Sequence, residues 1–316
     1  MRQLIAKRLL QTIPMLFFVS VVCFAMIKMA PGDPVLSFVT PAMHADDIER
    51  IRHNMGLDQP AIVQYWEWLK ACLTGNLGYS FINHQPVTEQ IIDRLPATAG
   101  LMGAAIGLAV LLAIPLGLLA GAYRNKWVDK LINFLSYIGI SVPLFWLAIL
   151  FIYFFAVKLH WLPSMGMRTI GTNSAWDVIK HGMLPCLVLA FGFMPGYVRY
   201  IRSSTIGQLK EDYVQIQYAF GSTRMKILYR HVMKHVLLPV ITLLGMSMAD
   251  LVAGAIVTET IFSWPGIGSL GMTAARGMDY PVIMGITLFS SVMLIIGNLA
   301  ADLLYGIADP RIKQTR

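Results

Sequence analysis

Apolar residues fall into six long runs separated by polar, basic or glycine- and proline-rich segments: Leu9–Ala30, Ala97–Ala122, Leu131–Val157, Met183–Arg202, Val236–Phe262 and Pro281–Gly306. A helix needs about 20 apolar residues to cross the hydrocarbon core of a bilayer. The pattern therefore predicts an all-α membrane protein with about six transmembrane helices. Kinks are expected at Pro115 and Pro143, where neighbouring helices can satisfy the freed carbonyls. The expected divisions are a tail and first helix over 1–30, a loop subdomain over 31–96, a core of five helices over 97–306 and a short tail over 307–316.

Two segments outside the runs carry patterns of their own. The loop from Pro31 to Pro96 is too long for a simple connector. In it Asp46 and Asp47 open a helical stretch whose Ile48, Ile51 and Met55 share a face, with Gly56 as its C-cap. Tyr65, Trp66, Trp68 and Leu69 follow as an aromatic cluster, suited either to anchoring in lipid headgroups or to docking something outside. The second segment, 203–235, places Ile206, Leu209, Tyr213, Ile216 and Phe220 three or four residues apart, which predicts one apolar stripe on a polar helix. Gly221 breaks that helix, and Ser222 is the expected cap of the next one, which carries Ile227, Leu228 and Val232. A helix, a glycine turn and a second helix fit either a membrane surface or a groove on a partner.

Composition agrees with the runs. Hydrophobic residues make up 56% of the 316-residue chain and charged residues 13%, against about 25% charged in soluble domains. The net charge of +8 reflects loop placement rather than nucleic-acid binding. With a cytoplasmic N-terminus, the inner segments hold 16 of the 25 Lys and Arg and the outer ones 8, so both termini are expected inside, with the long loop outside. Cys23, Cys72 and Cys186 form neither a disulfide framework nor a metal pattern. The first run is too long for a signal peptide and lacks a cleavage site, so it reads as an uncleaved span.

Catalytic chemistry is missing from the pattern. There is no phosphate-binding Gly-x-x-x-x-Gly-Lys loop and no His-Glu-x-x-His, and His231 with His235 lacks a third ligand. Carboxylates within spans are costly and point to function. Asp250 lies near the middle of the fifth run and is the expected pathway residue. Glu259, nine residues on, lies on the opposite face of a straight helix and is assigned to a helix partner or an outer gate with Phe262 and Trp264. Gly100, Gly103 and Gly107, like Gly117 and Gly121, have the spacing that lets helices approach closely.

In order, the chain shows Ala30-Pro31-Gly32-Asp33-Pro34, Met55-Gly56-Leu57-Asp58-Gln59-Pro60, Gly75-Asn76-Leu77-Gly78 and Arg94-Leu95-Pro96-Ala97-Thr98. It continues with Glu211-Asp212-Tyr213-Val214, Arg230-His231, Leu237-Leu238-Pro239, Glu259-Thr260-Ile261-Phe262-Ser263-Trp264-Pro265-Gly266, Asp279-Tyr280-Pro281-Val282 and Asp309-Pro310-Arg311-Ile312. Over essentially its whole length it resembles the first-type permease subunits of the dipeptide/oligopeptide/nickel family of ABC importers. The resemblance implies a type I importer fold in a bacterial inner or plasma membrane. It implies three kinds of partner: a second permease forming a heterodimeric channel, two ATPase subunits that bind ATP and Mg2+, and an extracytoplasmic binding protein. This chain itself would bind no cofactor or metal. The resemblance also implies that the segment around Gly221 docks on an ATPase, through Tyr213, Gln215, Gln217, Ala219, Phe220, Gly221, Arg230 and His231. Gln215, Gln217, Tyr218 and Phe220 depart from the small or basic run usual in the family, and the bulky Phe220 alters how the lever seats. The spacing of 18 residues from Gly221 to Pro239 fits this family and not sugar importers. Peptides are the leading cargo, with nickel, a metal chelate or glutathione as neighbours. A proton-coupled secondary transporter using Asp250 is the alternative from another class.

Overall fold

The computed structural model describes residues 2–29, 35, 39, 43–54, 56–247 and 256–308. These residues are almost wholly helical. Apart from an isolated bridge between Tyr79 and Pro86, no strand pairing occurs among the described residues.

The chain opens with α1 (Arg2–Met29), whose apolar part is Thr12–Met26. Two short helices follow, α2 (Ala45–Asn54) and α3 (Ala61–Leu73). Then come α4 (Val87–Ala122), α5 (Trp127–Ser141), α6 (Leu144–Phe151, continued as a π-helical stretch Ile152–Lys158) and α7 (Ala175–Gln208). Three short helices, α8 (Asp212–Ala219), α9 (Arg224–Ile227, continued by the π-helical Leu228–Val232) and α10 (Met233–Met246), lead to α11 (Ile256–Ile261) and α12 (Ile267–Arg276). The last helix is α13 (Tyr280–Ala308). Among the described residues three helices are long and apolar enough to span a membrane, α4, α7 and α13, or four if the pair α5–α6 counts as one span. The third predicted run is that pair, bent by 97° at the break before Pro143. Pro143 lacks an N–H and disfavours helical backbone at Val142, which is extended (ψ 121). The fifth predicted run is α10 and α11, separated by a stretch that includes residues outside the described set.

The core is the seam between α4 and α7, the most extensively packed pair. Two glycines make it close. A Cβ on Gly117 would lie 2.6 Å from Ile201 Cβ, and one on Gly121 would lie 2.6 Å from Thr205 Cβ. Gly100, Gly103 and Gly107 behave differently from the expectation of tight packing: among the described residues, a Cβ on any of them would meet nothing within 4 Å. All three are exposed. The same cluster takes in Val214 of α8, Ile227 and Leu228 after the glycine turn, and Val236 and Val240 of α10. Around this seam α13 packs on α10 and α1.

The long first loop folds back onto the helices. As expected, α2 carries Asp46 and Asp47 in its first turn; it ends at Asn54, just before Gly56, whose φ of +65° suits glycine, and Met55 lies outside the described residues. Within the aromatic cluster Trp66 is exposed, whereas Tyr65 packs on the first helix. Tyr65 is buried, its hydroxyl lies 2.9 Å from Ser20 Oγ, and its ring meets those of Phe17 and Phe24 edge-on, so α3 clasps the first helix.

Residues 77–86 form a second clasp. Ser80 Oγ and the Phe81 N–H both donate to the buried carboxylate of Asp279, in the turn before α13, the latter at 3.1 Å. Asp279→Ala removes the carboxylate that accepts from the buried Ser80 hydroxyl, at a cost of about 2 kcal/mol. Limited proteolysis should then cut within 77–86 at a protease dose that leaves the parent chain intact; equal protection would show that the clasp does not hold the loop.

Candidate functional site

Two groups of residues stand out, at opposite ends of α4. The first surrounds Gly221. The sequence pattern predicted one helix through Phe220, but α7 stops at Gln208. Leu209, Lys210 and Glu211 make turns back to Thr205, Gly207 and Gln208, and Glu211 is extended (ψ 147) before α8 begins. The apolar stripe is therefore split between two helices. Val214 is fully buried against the α4–α7 core. Tyr213 donates its hydroxyl to Gln208 Oε1 (2.9 Å), and its ring lies 5.2 Å from that of His235. Burial, helped by the negative charge of Glu211, raises the pKa of the Tyr213 phenol, so it remains a donor.

Anchored on that side, α8 presents the other to the outside. Ile216, Tyr218 and Phe220 are exposed, Phe220 at 81%. Gln215, Ala219 and Arg230 are also exposed, whereas Gln217 and His231 are half-buried. Gly221 has φ +74° and donates to the Tyr218 carbonyl, while the Ser222 N–H donates to the Gln217 carbonyl, closing the end of α8. The following helix is preceded by Thr223, not Ser222. Ser222 Oγ instead points back to Gln217 Oε1 (3.5 Å), because the glycine turn needs one more residue before helical backbone resumes. A protruding apolar knob on a firmly seated short helix is suited to filling a pocket on another protein.

The second group surrounds Glu259. Its side chain is fully buried. Thr98 Oγ1 donates to Oε1 (2.8 Å) and the Ser269 N–H donates to Oε2 (2.9 Å). Thr98 Oγ1 in turn accepts the Ile267 N–H (2.7 Å), so one carboxylate ties together α4, α11 and the start of α12. Trp264 is buried beside Ala97 and Leu101 and donates Nε1–H to the Ala97 carbonyl (2.9 Å). Phe262 is buried against Leu147, Leu184 and Val188. Ser263 between them adopts φ +50°. Beside this knot lies a cleft of about 300 Å3, lined by Glu259 and Trp264 together with Arg94, Thr260, Ser263, Ser269 and Arg276. Glu259, Phe262 and Trp264 thus come together as a closed joint between helices. Asp250 lies outside the described residues. Among those residues no group of His, Cys, Asp or Glu is arranged to hold a metal.

One polar feature had no signal in the runs. Asp129, in the first turn of α5, is 3% exposed and receives Arg202 through two bonds, Nε to Oδ1 (2.6 Å) and Nη2 to Oδ2 (2.8 Å). Each residue sits at the end of a different run, and nothing in a linear pattern says that the two ends meet.

Residues 113–314 match the family model "Binding-protein-dependent transport system inner membrane component", and residues 1–102 match the N-terminal model of the same transport systems. The oligopeptide transport system permease protein AppB of Bacillus subtilis (strain 168) is 39% identical over 311 residues, covering 98% of both chains. The glutathione transport system permease protein GsiC of Escherichia coli (strain K12) is 36% identical over 309 residues, again covering 98% of each. Among solved structures, an inward-facing conformation of the MetNI methionine ABC transporter aligns with a TM-score of 0.56 and 15% identity, over 70% of this chain and 96% of that one, which shows a shared fold.

Proposed function

The chain belongs to the family of binding-protein-dependent transport system inner membrane components, the permeases of ABC importers, and from that premise we propose that it forms half of a channel for di- and oligopeptides. It is a transport subunit, not an enzyme. A second permease would complete the channel, two ATPase subunits would hold ATP and Mg2+, and an external binding protein would deliver cargo. The membrane in this reading is a bacterial inner or plasma membrane, which the family's description as an inner membrane component supports, with both termini inside.

The observation that carries the coupling assignment is the exposed Ile216, Tyr218 and Phe220 knob beside the left-handed turn at Gly221. ATP binding would draw the ATPases together, and α8, seated on them, would swing the helices packed on it. The joint at Glu259, Phe262 and Trp264 would form the outer closure. Peptide cargo is supported by the named relatives, since glutathione is itself a small peptide. Cargo selection would rest mainly with the binding protein.

Gentle detergent extraction of the tagged chain, followed by mass spectrometry, tests the assembly. Recovery of a different permease with ATPases is expected; a homo-oligomer lacking ATPases would overturn the reading and favour proton-coupled transport. Asp250 is assigned to the pathway because a carboxylate within a span is costly unless it is used. Asp250→Asn should therefore slow uptake of a labelled tripeptide, and unchanged uptake would remove it from the pathway.

A further inference from the structure

The segment around Gly221 touches the helix pair α4–α5 at a point remote in sequence. The guanidinium of Arg224, at the start of α9, lies 4.8 Å from the centroid of the Tyr123 ring. Tyr123 begins the turn between α4 and α5, and Lys126 Nζ lies 6.0 Å from the same ring. Two residues into α5, Asp129 closes that turn by accepting the Asn125 N–H (2.8 Å), and Asn125 is held at φ +64°. Asn133 Nδ2 adds a bond to Oδ1 (2.6 Å). The same carboxylate takes the two-pronged contact from Arg202, on the last turns of α7. One turn further along α7, Thr205 seats on Gly121 at the end of α4.

The short turn 123–126 is therefore gripped from two sides. Asp129 and Arg202 lock it to the end of α7, and the Tyr123 ring offers its face to Arg224 of the coupling segment. A guanidinium over a ring is attracted by the ring's quadrupole, and the paired fork of Arg202 fixes orientation as well as distance.

We propose that Asp129, Arg202 and Tyr123 are positioning residues for coupling: they make the α4–α5 turn and the end of α7 one body, on which the segment beginning at Arg224 pushes. This rests on the coupling assignment for the Gly221 segment and adds a route through the bundle. Motion of the segment then reaches the cleft near Ser263 along α4, whose other end is tied to Glu259 through Thr98. Without the joint, the segment would still dock but would move alone.

The test separates docking from transmission and needs no knowledge of the cargo. A Ser263→Cys reporter is introduced into the full assembly in membrane vesicles, and its alkylation by a polar maleimide is followed by peptide mapping with and without ATP. ATP should change the labelling rate in the otherwise unaltered chain. Adding Asp129→Asn, and separately Tyr123→Leu, should shrink that response at least about fivefold, the scale of coupling between sites, while ATPase recovery and ATP turnover stay within twofold. Because Asp129 is buried, its variant can fail to accumulate. Tyr123 is half-buried, and Tyr123→Leu then decides alone. An undiminished response, or a response that falls only in step with ATP turnover, overturns the joint. Absence of any ATP response in the unaltered chain would instead count against the coupling assignment itself.

Discussion

Gly221→Arg should leave the chain folded in the membrane and cut ATP-driven uptake by about a hundredfold or more, the fall expected for a loss of roughly 3 kcal/mol of docking energy. Gly221 is exposed, and a Cβ there would meet nothing within 4 Å among the described residues, so the added side chain has open space to leave by. Its first cost is conformational: φ is +74°, a region that a residue with a Cβ enters at about 1–2 kcal/mol. Relaxing that strain rotates the end of α8 and redirects Phe220, which is 81% exposed and is the natural anchor for a pocket. Losing a central aromatic anchor costs about 2 kcal/mol or more. Affinity capture of the ATPases measures the docking term directly. Gly221→Asn is the control, since asparagine tolerates left-handed backbone, and it should retain most ATPase binding. Equal loss in the asparagine and arginine variants would mean that the turn's backbone is not what matters.

Gly266→Ala should have the opposite character, destroying the chain rather than its associations. Its backbone is unstrained for any residue (φ −103°), so the effect is packing alone. The added methyl would fall inside contact distance of the Glu259 carboxyl and the Thr98 hydroxyl. One must move, and both are committed: Thr98 to Glu259 and the Ile267 N–H, Glu259 to the Ser269 N–H. Overpacking costs about 1–3 kcal/mol, and a buried hydrogen bond to a charged group about another 1.5–3 kcal/mol. The total approaches the margin by which a domain is stable. The expected result is little monodisperse protein by fluorescence size exclusion. Wild-type yield with an unchanged melting midpoint would show that the knot yields easily.

Much of this architecture was legible in the runs, because a span must hide its own backbone and so writes a long apolar stretch. The bend at Pro143 was legible for a similar local reason. Where the linear pattern misled, partners from elsewhere decided. The stripe from Ile206 to Phe220 has perfect helical spacing, yet the chain turns at 209–211 because Val214 and Tyr213 gain more by packing on α7 and α10. Glu259 was placed at a partner or a gate, and its bonds to Thr98 and Ser269 depend on a residue 161 positions away. The pairings of Asp129 with Arg202 and of Asp279 with Ser80 were not legible, since a charged residue at the end of a run looks the same whether it meets water or a partner.

The two glycine series on α4 have a consequence for how this sequence can drift over generations. Gly117 and Gly121 are closed to replacement, because even a methyl group would push α7 away and open the seam. Gly100, Gly103 and Gly107 answer to nothing among the described residues. One helix therefore carries two lineages of the same residue, one held by the fold and one free to follow whatever faces it from outside.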